Sequence, residues 1–350
     1  MGSITTTTAV AAATIAPLSS LLPKPKPHSL TPSNFKFQPF TLSTSKLHTQ
    51  LPIPKSILSS AAADVSPLNL KSRLRNGDTL YGLFLLSFSP TLAEIAALAG
   101  YDFVVIDMEH GPGGISDALP CLHALAAANT AAILRLPEST AAWAKKALDL
   151  GPQGIMFPMI DSAHLAHQAV SFCRYPPDGL RGAAHPIVRA SKYGFDDGYM
   201  GNYLDELLIM CQVESEEGVA NAGEIAAVDG LDCVQMGPLD LSASLGYLWD
   251  PGNKRVREAL REAERKVLES RNDDVERGAY LAGFATAFDG AKDLRSRGYH
   301  MVSGAVDVAL FRSAVAEDVI AFKMSGPESD EEEEKEGDEK YWSEWMSHFL

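Results

Sequence analysis

The sequence predicts an α/β chain folded as a (β/α)8 TIM barrel, and three observations carry that prediction. Between two compositionally distinct tails, an apolar run followed by an amphipathic stretch repeats eight times. Four helical stretches end on glycine just before the next apolar run, at Gly100, Gly151, Gly230 and Gly298, which suits left-handed helix caps. The runs are apolar nearly throughout, as expected of parallel strands covered on both faces.

Taken in order, the strands are Leu80–Leu86, Phe103–Ile106, Ala132–Leu136, Ile155–Met159, Leu208–Val213, Cys233–Met236, Ala279–Phe284 and His300–Ser303. Helices fall between them, including Pro90–Leu98 behind the N-cap Ser89 and Ala141–Leu150 behind Ser139 and Thr140. The alternative α/β architecture, a doubly wound open sheet, loses ground because no strand leads into a GxGxxG turn. One connection is unusually long. It starts at Tyr175-Pro176-Pro177-Asp178-Gly179-Leu180-Arg181-Gly182 and runs irregularly to Asn202, a length expected to serve function.

The flanks differ from the barrel. Residues 1–63 hold five lysines, no arginine and no acid, and are rich in Ser, Thr, Ala and Pro. They read as an organelle transit leader, with the hydroxyls favouring a chloroplast over a mitochondrion. Residues 324–350 hold ten acids and two lysines; the acidic run Ser329–Glu339 precedes the aromatic patch Tyr341-Trp342-Ser343-Glu344-Trp345-Met346. Such a run is too charged to fold alone. The barrel is therefore expected to occupy residues 64–323. With +5 in the leader and −8 in the tail, the total of −15 leaves −12 for the barrel. A surface so acidic repels nucleic acid phosphates. No stretch of 18 apolar residues appears, so no membrane span is expected. Cys121, Cys173, Cys211 and Cys233 form no CxxC pair and read as reduced thiols.

In such barrels the chemistry sits at the C-terminal ends of the strands. The polar residues at those ends are Asp107, Glu109 and His110 after the second strand, Arg135 at the third, Gln212 and Glu214 at the fifth, and Asp240 after the sixth. Glu214 and Asp240 are hard oxygen donors that, with waters and substrate oxygens, suit an octahedral divalent ion. Arg135 offers a fixed cation to an enolate or a carboxylate, or pairs structurally with one of many acids. His110 is the natural general base near neutral pH. Asp149 either accepts a hydrogen bond from that imidazole or is a helix-surface charge. Glu109 is a candidate ligand or a solvated acid. His123, His164, His167 and His300 have no partner pattern, and His185, in the long connection, is within possible reach of the mouth. No lysine stands at a strand end, which disfavours a Schiff base.

These residues lie in motifs that resemble the HpcH/HpaI aldolase and citrate-lyase superfamily, in particular its class II pyruvate aldolases of the 4-hydroxy-2-oxoheptanedioate type. The motifs are Val105-Ile106-Asp107-Met108-Glu109-His110, Leu134-Arg135-Leu136-Pro137, the Tyr175–Gly182 segment, Cys211-Gln212-Val213-Glu214 and Gly237-Pro238-Leu239-Asp240-Leu241-Ser242, in family order across about residues 70–322. The resemblance implies a phosphoenolpyruvate/pyruvate-type barrel that cleaves or forms 4-hydroxy-2-oxo acids, releasing pyruvate and an aldehyde. It further implies His110 as proton acceptor, Asp149 as its supporting carboxylate and Arg135 as transition-state stabiliser. Glu214 and Asp240 become ligands of Mg2+, Mn2+ or Co2+, and Gln212, Leu239 and Asp240 hold the oxo acid. Finally it implies a hexamer in which Val308–Phe322 is exchanged between subunits. Leu239 stands where many relatives have alanine, Leu268–Gly278 is longer than in bacterial relatives, and both tails lack a counterpart there. Two rival readings are an acyl-CoA ester lyase of the citrate-lyase-beta branch and a non-catalytic plastid scaffold acting through its acidic tail.

Overall fold

The computed structural model describes residues 68–272 and 277–324; the leader, the acidic run and the terminal aromatic patch lie outside the described residues. The elements are α1 (Leu70–Arg75), β1 (Leu80–Leu85), α2 (Pro90–Ala99), β2 (Phe103–Asp107), α3 (Ile115–Ala127), β3 (Ala131–Arg135), α4 (Ala141–Asp149), β4 (Gly154–Phe157) and α5 (Ala163–Cys173). After two 3-10 turns at His185–Ile187 and Arg189–Gly194 come α6 (Tyr199–Glu206), β5 (Leu208–Val213), α7 (Glu216–Ala220), α8 (Ala222–Ala226), β6 (Cys233–Met236) and α9 (Pro238–Ser244). The chain continues through α10 (Lys254–Ser270), β7 (Tyr280–Phe284), α11 (Ala291–Ser296), β8 (Met301–Val306) and α12 (Asp307–Met324).

The eight strands pair in sequence order, all parallel, and β8 closes on β1. All eight expected strands are present within two or three residues of their expected ends. The fourth is the exception worth a reason: it stops at Phe157 because Pro158 has no amide to donate, and Met159 turns off at φ 52°. Ser89, Thr140, Ser162 and Ser215 cap their helices by accepting first-turn amides. Gly100, Gly151 and Gly298 take positive φ at the ends of α2, α4 and α11, as left-handed caps do, whereas Gly230, also at positive φ, lies in a turn beyond the Ala227 cap of α8.

The period of two along a strand divides the side chains into two cores. Val104, Ile106, Leu134, Ile155, Ile209, Cys211 and Val234 face the helices in one cluster. Phe103, Val105, Ile133, Met156, Leu208, Met210, Cys233 and Ala282 fill the barrel, and Leu70 and Leu74 of α1 join that interior cluster. α1 is thus a plug at the N-terminal end. Lys71 Nζ lies 2.8 Å from Asp232 Oδ1, and Arg73 lies 2.7 Å from Asp102 Oδ1, so two ion pairs seat it on the strand starts.

The long connection between α5 and β5 corrects an expectation. α5 ends and β5 begins at the N-terminal end, so the whole segment packs there, away from the mouth. Arg189 Nη1 donates to Leu150 O at 2.5 Å, and Tyr203 Oη accepts from Tyr175 N. His185 stacks edge-on against Tyr175, 6.0 Å between ring centroids, and does not approach the mouth. All four cysteines are buried and free. Among the described residues no helix is long and apolar enough to cross a membrane.

If α1 is a plug, truncating it opens a cavity. Leu70→Ala, at a fully buried position, is expected to lower unfolding free energy by about 2–5 kcal/mol in a denaturant titration.

Candidate active site

The inward parity of the strands decides what reaches the mouth. On β2 the inward series Phe103, Val105 ends on Asp107; on β3 Ala131, Ile133 ends on Arg135. On β5 Leu208 and Met210 lead to Gln212 and then Glu214, and on β6 Cys233 leads to Gln235. Asp107 and Arg135 are register partners, as are Gln212 and Gln235. The apolar interior is therefore topped by a layer of polar side chains set by the same alternation.

A continuous chain of contacts crosses that layer. Arg135 Nε donates to Asp107 Oδ1 at 2.8 Å and Nη2 to Oδ2 at 2.5 Å, a bidentate pair between groups that are both buried. Arg135 Nη1 lies 2.9 Å from Glu109 Oε2 and donates to Gln212 Oε1 at 3.4 Å. Gln212 Nε2 donates in turn to Glu214 Oε2. The other oxygen of Glu214 accepts the amide of Met159 at 2.8 Å. Beneath the guanidinium lies the ring of Phe84, its centroid 4.9 Å from Cζ.

Burial and charge set the electrostatics. Burial opposes the charge on Arg135, but hydrogen bonding and attraction from Asp107, with Glu109 and Glu214 behind, hold its pKa above the ordinary value. Glu214, 1% exposed, is pushed up to about 8 by burial; the Met159 amide opposes the shift and the charges of Glu109 and Asp240 add to it. Burial likewise raises Glu109, against the pull of Arg135 and His110. Asp107, Glu109 and Glu214 act on Arg135, whose shortest bonds go to Asp107, and the charge of Asp240 bears on Glu109 and Glu214. Such a cluster favours a cation among its oxygens. Among the described residues no three His, Cys, Asp or Glu side chains form a metal cage by themselves. Two carboxylates completed by substrate and solvent oxygens remain the donor set that fits.

His110 projects, exposed, from the loop after β2, and its imidazole makes no hydrogen bond among the described residues. Its backbone is held by Asp107, whose Oδ1 accepts the amides of Glu109 at 3.0 Å and His110 at 3.4 Å. Asp240 is exposed and Leu239 half-buried in the first turn of α9, which leaves their amides without acceptors inside the helix. Gly237 before them has to be glycine: a Cβ there would stand 2.4 Å from Glu214 Oε2.

One expected member is elsewhere. Asp149 is the last residue of α4, which runs back to the N-terminal end, and four residues on Gln153 donates its amide to Ala132 O at the start of β3. The charges around Asp149 are Arg181, Lys145 and Lys146, with Arg181 Nη2 3.9 Å away. Within one chain it does not support His110. Asp107 and Gln235 had no role assigned from sequence, although strand parity places both at the mouth.

A profile of the HpcH/HpaI aldolase/citrate lyase family matches residues 80–314, which span every strand of the barrel and every residue of the chain of contacts above. The chain belongs to that family. It is 37% identical over 260 residues to the 2-keto-3-deoxy-L-rhamnonate aldolase of Escherichia coli K12, covering 73% of this chain and 94% of the relative. Among solved structures, an HpcH/HpaI aldolase/citrate lyase family protein from Burkholderia cenocepacia J2315 superposes with a TM-score of 0.67 at 34% identity, over 73% of this chain and 99% of the other. The citrate synthase SbnG superposes with a TM-score of 0.65 at 27% identity, over 75% and 100%. The chain is accordingly an enzyme of the lyase class, an aldolase of the HpcH/HpaI family.

The buried bidentate pair makes a stability prediction for this family member. Asp107→Asn takes the charge from the strongest partner of buried Arg135, leaving Glu109 and Gln212 on Nη1, and is expected to cost on the order of 3 kcal/mol in a urea titration.

Proposed function

We propose that the enzyme is a divalent-metal-dependent aldolase that cleaves or forms 4-hydroxy-2-oxo acids, with pyruvate and an aldehyde as the other side of the reaction. One observation carries this reading: buried Glu214 is linked through Gln212 to Arg135, so a buried oxygen donor and a fixed guanidinium lie in one contact chain at the mouth. Glu214 and Asp240 would hold the cation, Mg2+, Mn2+ or Co2+ by the family resemblance. When bound, such an ion polarises a 2-oxo carbonyl and draws off negative charge that develops on it.

The chain's own groups supply the rest. Arg135 is held rigid by Asp107 and presents a cation whose pKa lies above the ordinary arginine value, so it stays charged as an enolate forms. His110 takes the proton from the 4-hydroxyl in the cleavage direction and returns it in synthesis, and its exposed ring suits exchange with solvent. Gln212 orients the oxo acid beside Arg135, and the first-turn amides of Leu239 and Asp240 meet its carboxylate. The likeness to a rhamnonate aldolase supports a hydroxylated sugar-acid chain beyond the oxo acid. Leu239, where many relatives carry alanine, narrows the carboxylate side.

The test is pyruvate release from a panel of 4-hydroxy-2-oxo acids, with EDTA and with Mg2+ or Mn2+ restored. Turnover is expected to vanish in EDTA, to return with metal, and to fall by about 10²–10⁴-fold in His110→Ala. Full turnover in EDTA would remove the metal from the reaction, and no turnover by a folded, metal-replete chain would remove the aldolase reading.

The same reading makes α12 the element exchanged between copies in a homo-oligomer. Beyond Asp307 none of its residues is buried, and Leu310, Phe311 and Phe322 are 51%, 64% and 81% exposed. An 18-residue helix with that much bare apolar surface needs a cover. Light scattering should give a mass several times 37.6 kDa, and Phe311→Asp is expected to reduce it. The leader is proposed to direct the chain to a plastid.

A further inference from the structure

We propose that the β1–α2 loop is a clamp that positions His110, with Phe88 as its jaw and Asp307, the first residue of α12, as its anchor. The inference rests on the reading of His110 as the base.

His110 needs an external hold, because its ring bonds to no described residue and its position is inherited from the backbone of the loop after β2. On the strand side that backbone is held by Asp107: the carboxylate takes the Glu109 and His110 amides, and the carbonyl accepts Gly111 N at 3.2 Å. On the other side lies Phe88. Its ring is so close to Gly111 and Gly113 that neither tolerates a side chain. A Cβ on Gly111 would stand 2.5 Å from Phe88 Cε2 and 2.5 Å from Asp107 O, and one on Gly113 would stand 2.6 Å from Phe88 Cγ. The two glycines are the socket for the ring.

Phe88 reaches this position at φ 54°, in the left-handed region that a phenylalanine avoids. The surroundings must therefore impose it. They do so through Asp307, which is 5% exposed and places its two oxygens on consecutive amides just before Phe88: Leu86 N donates to Oδ1 at 2.8 Å and Ser87 N to Oδ2 at 3.1 Å. Barrel closure brings this residue, more than two hundred positions away in sequence, beside β1. Ser87 Oγ then accepts Ser89 N at 3.2 Å, and Ser89 caps α2. Phe88 is thus fixed on both sides of its own backbone, and the fixed ring presses the His110 loop against the strand. Phe88 and Asp307 are positioning residues: neither is in the contact chain that runs from Asp107 to Glu214.

The experiment compares Phe88→Gly, Phe88→Tyr and Asp307→Asn in the full metal-replete chain. It measures kcat and KM on the best 4-hydroxy-2-oxo acid, together with deuterium uptake of the 108–114 backbone by mass spectrometry. Glycine relieves the positive φ while removing the ring, so a purely structural role for Phe88 predicts lower stability but an unchanged kcat in the folded enzyme. Phe88→Gly is expected to lose at least tenfold in kcat with KM within twofold, while exchange over 108–114 rises at least fivefold. Phe88→Tyr keeps the ring and should stay within threefold of wild type. Asp307→Asn should show the same signature in weaker form. Wild-type kcat in Phe88→Gly overturns the clamp whatever the exchange does, and so does a kcat loss with unchanged exchange. If the wild-type chain turns over no oxo acid, the aldolase reading falls by itself. Exchange then decides the clamp alone, and unchanged uptake in both Phe88→Gly and Asp307→Asn overturns it.

Discussion

Two hydrogen bonds between the Asp107 carboxylate and the Arg135 guanidinium join β2 to β3 at a shared level of the barrel, and they hold because both groups are out of water. A bidentate pair in that setting fixes direction as well as distance. Arg135 cannot swing, so its Nη1 stands between Glu109 and Gln212, and Gln212 passes the constraint on to Glu214. Asp107 cannot swing either, so the amides of Glu109 and His110 settle on Oδ1, the oxygen that also takes Arg135 Nε. The His110 backbone, Gln212 and Glu214 take their places from one ion pair between adjacent strands.

Why those residues meet at all follows from the alternation of side chains in a closed sheet. Phe103, Val105 and Asp107 share a face, as do Ala131, Ile133 and Arg135; three steps inside the barrel end on a charge in each case. This part was legible in the sequence. The apolar runs, the glycine caps and the polar residues at the run ends identify the barrel and its mouth without coordinates, because each is a local consequence of backbone geometry. Asp107 and Gln235 were equally legible by parity, since each lies an even number of residues from an apolar interior position on its strand.

What was not legible depends on the direction in which a segment travels. Asp149 and His185 look close to the chemistry when counted from their neighbours in sequence. Both, however, belong to stretches that return toward the strand starts, where α1 plugs the barrel and Arg181 and Arg189 tie the long connection to α4. Phe88 offers no sequence signal either: an unfavourable backbone angle at a phenylalanine is visible only once the Asp307 carboxylate, brought round by closure of β8 on β1, is seen to impose it.

The shared register of Asp107 and Arg135 also limits how such an enzyme can diverge. Inserting or deleting one residue within β2 or β3 would turn Asp107 or Arg135 toward the helices and bring a hydrophobic neighbour to the mouth, so single-residue length changes in these strands are lethal to the site. The connections between the strands hold no place in the alternation and carry no such constraint on their length. A lineage built on this barrel can change what surrounds its chemistry far more freely than it can change the spacing on which the chemistry stands.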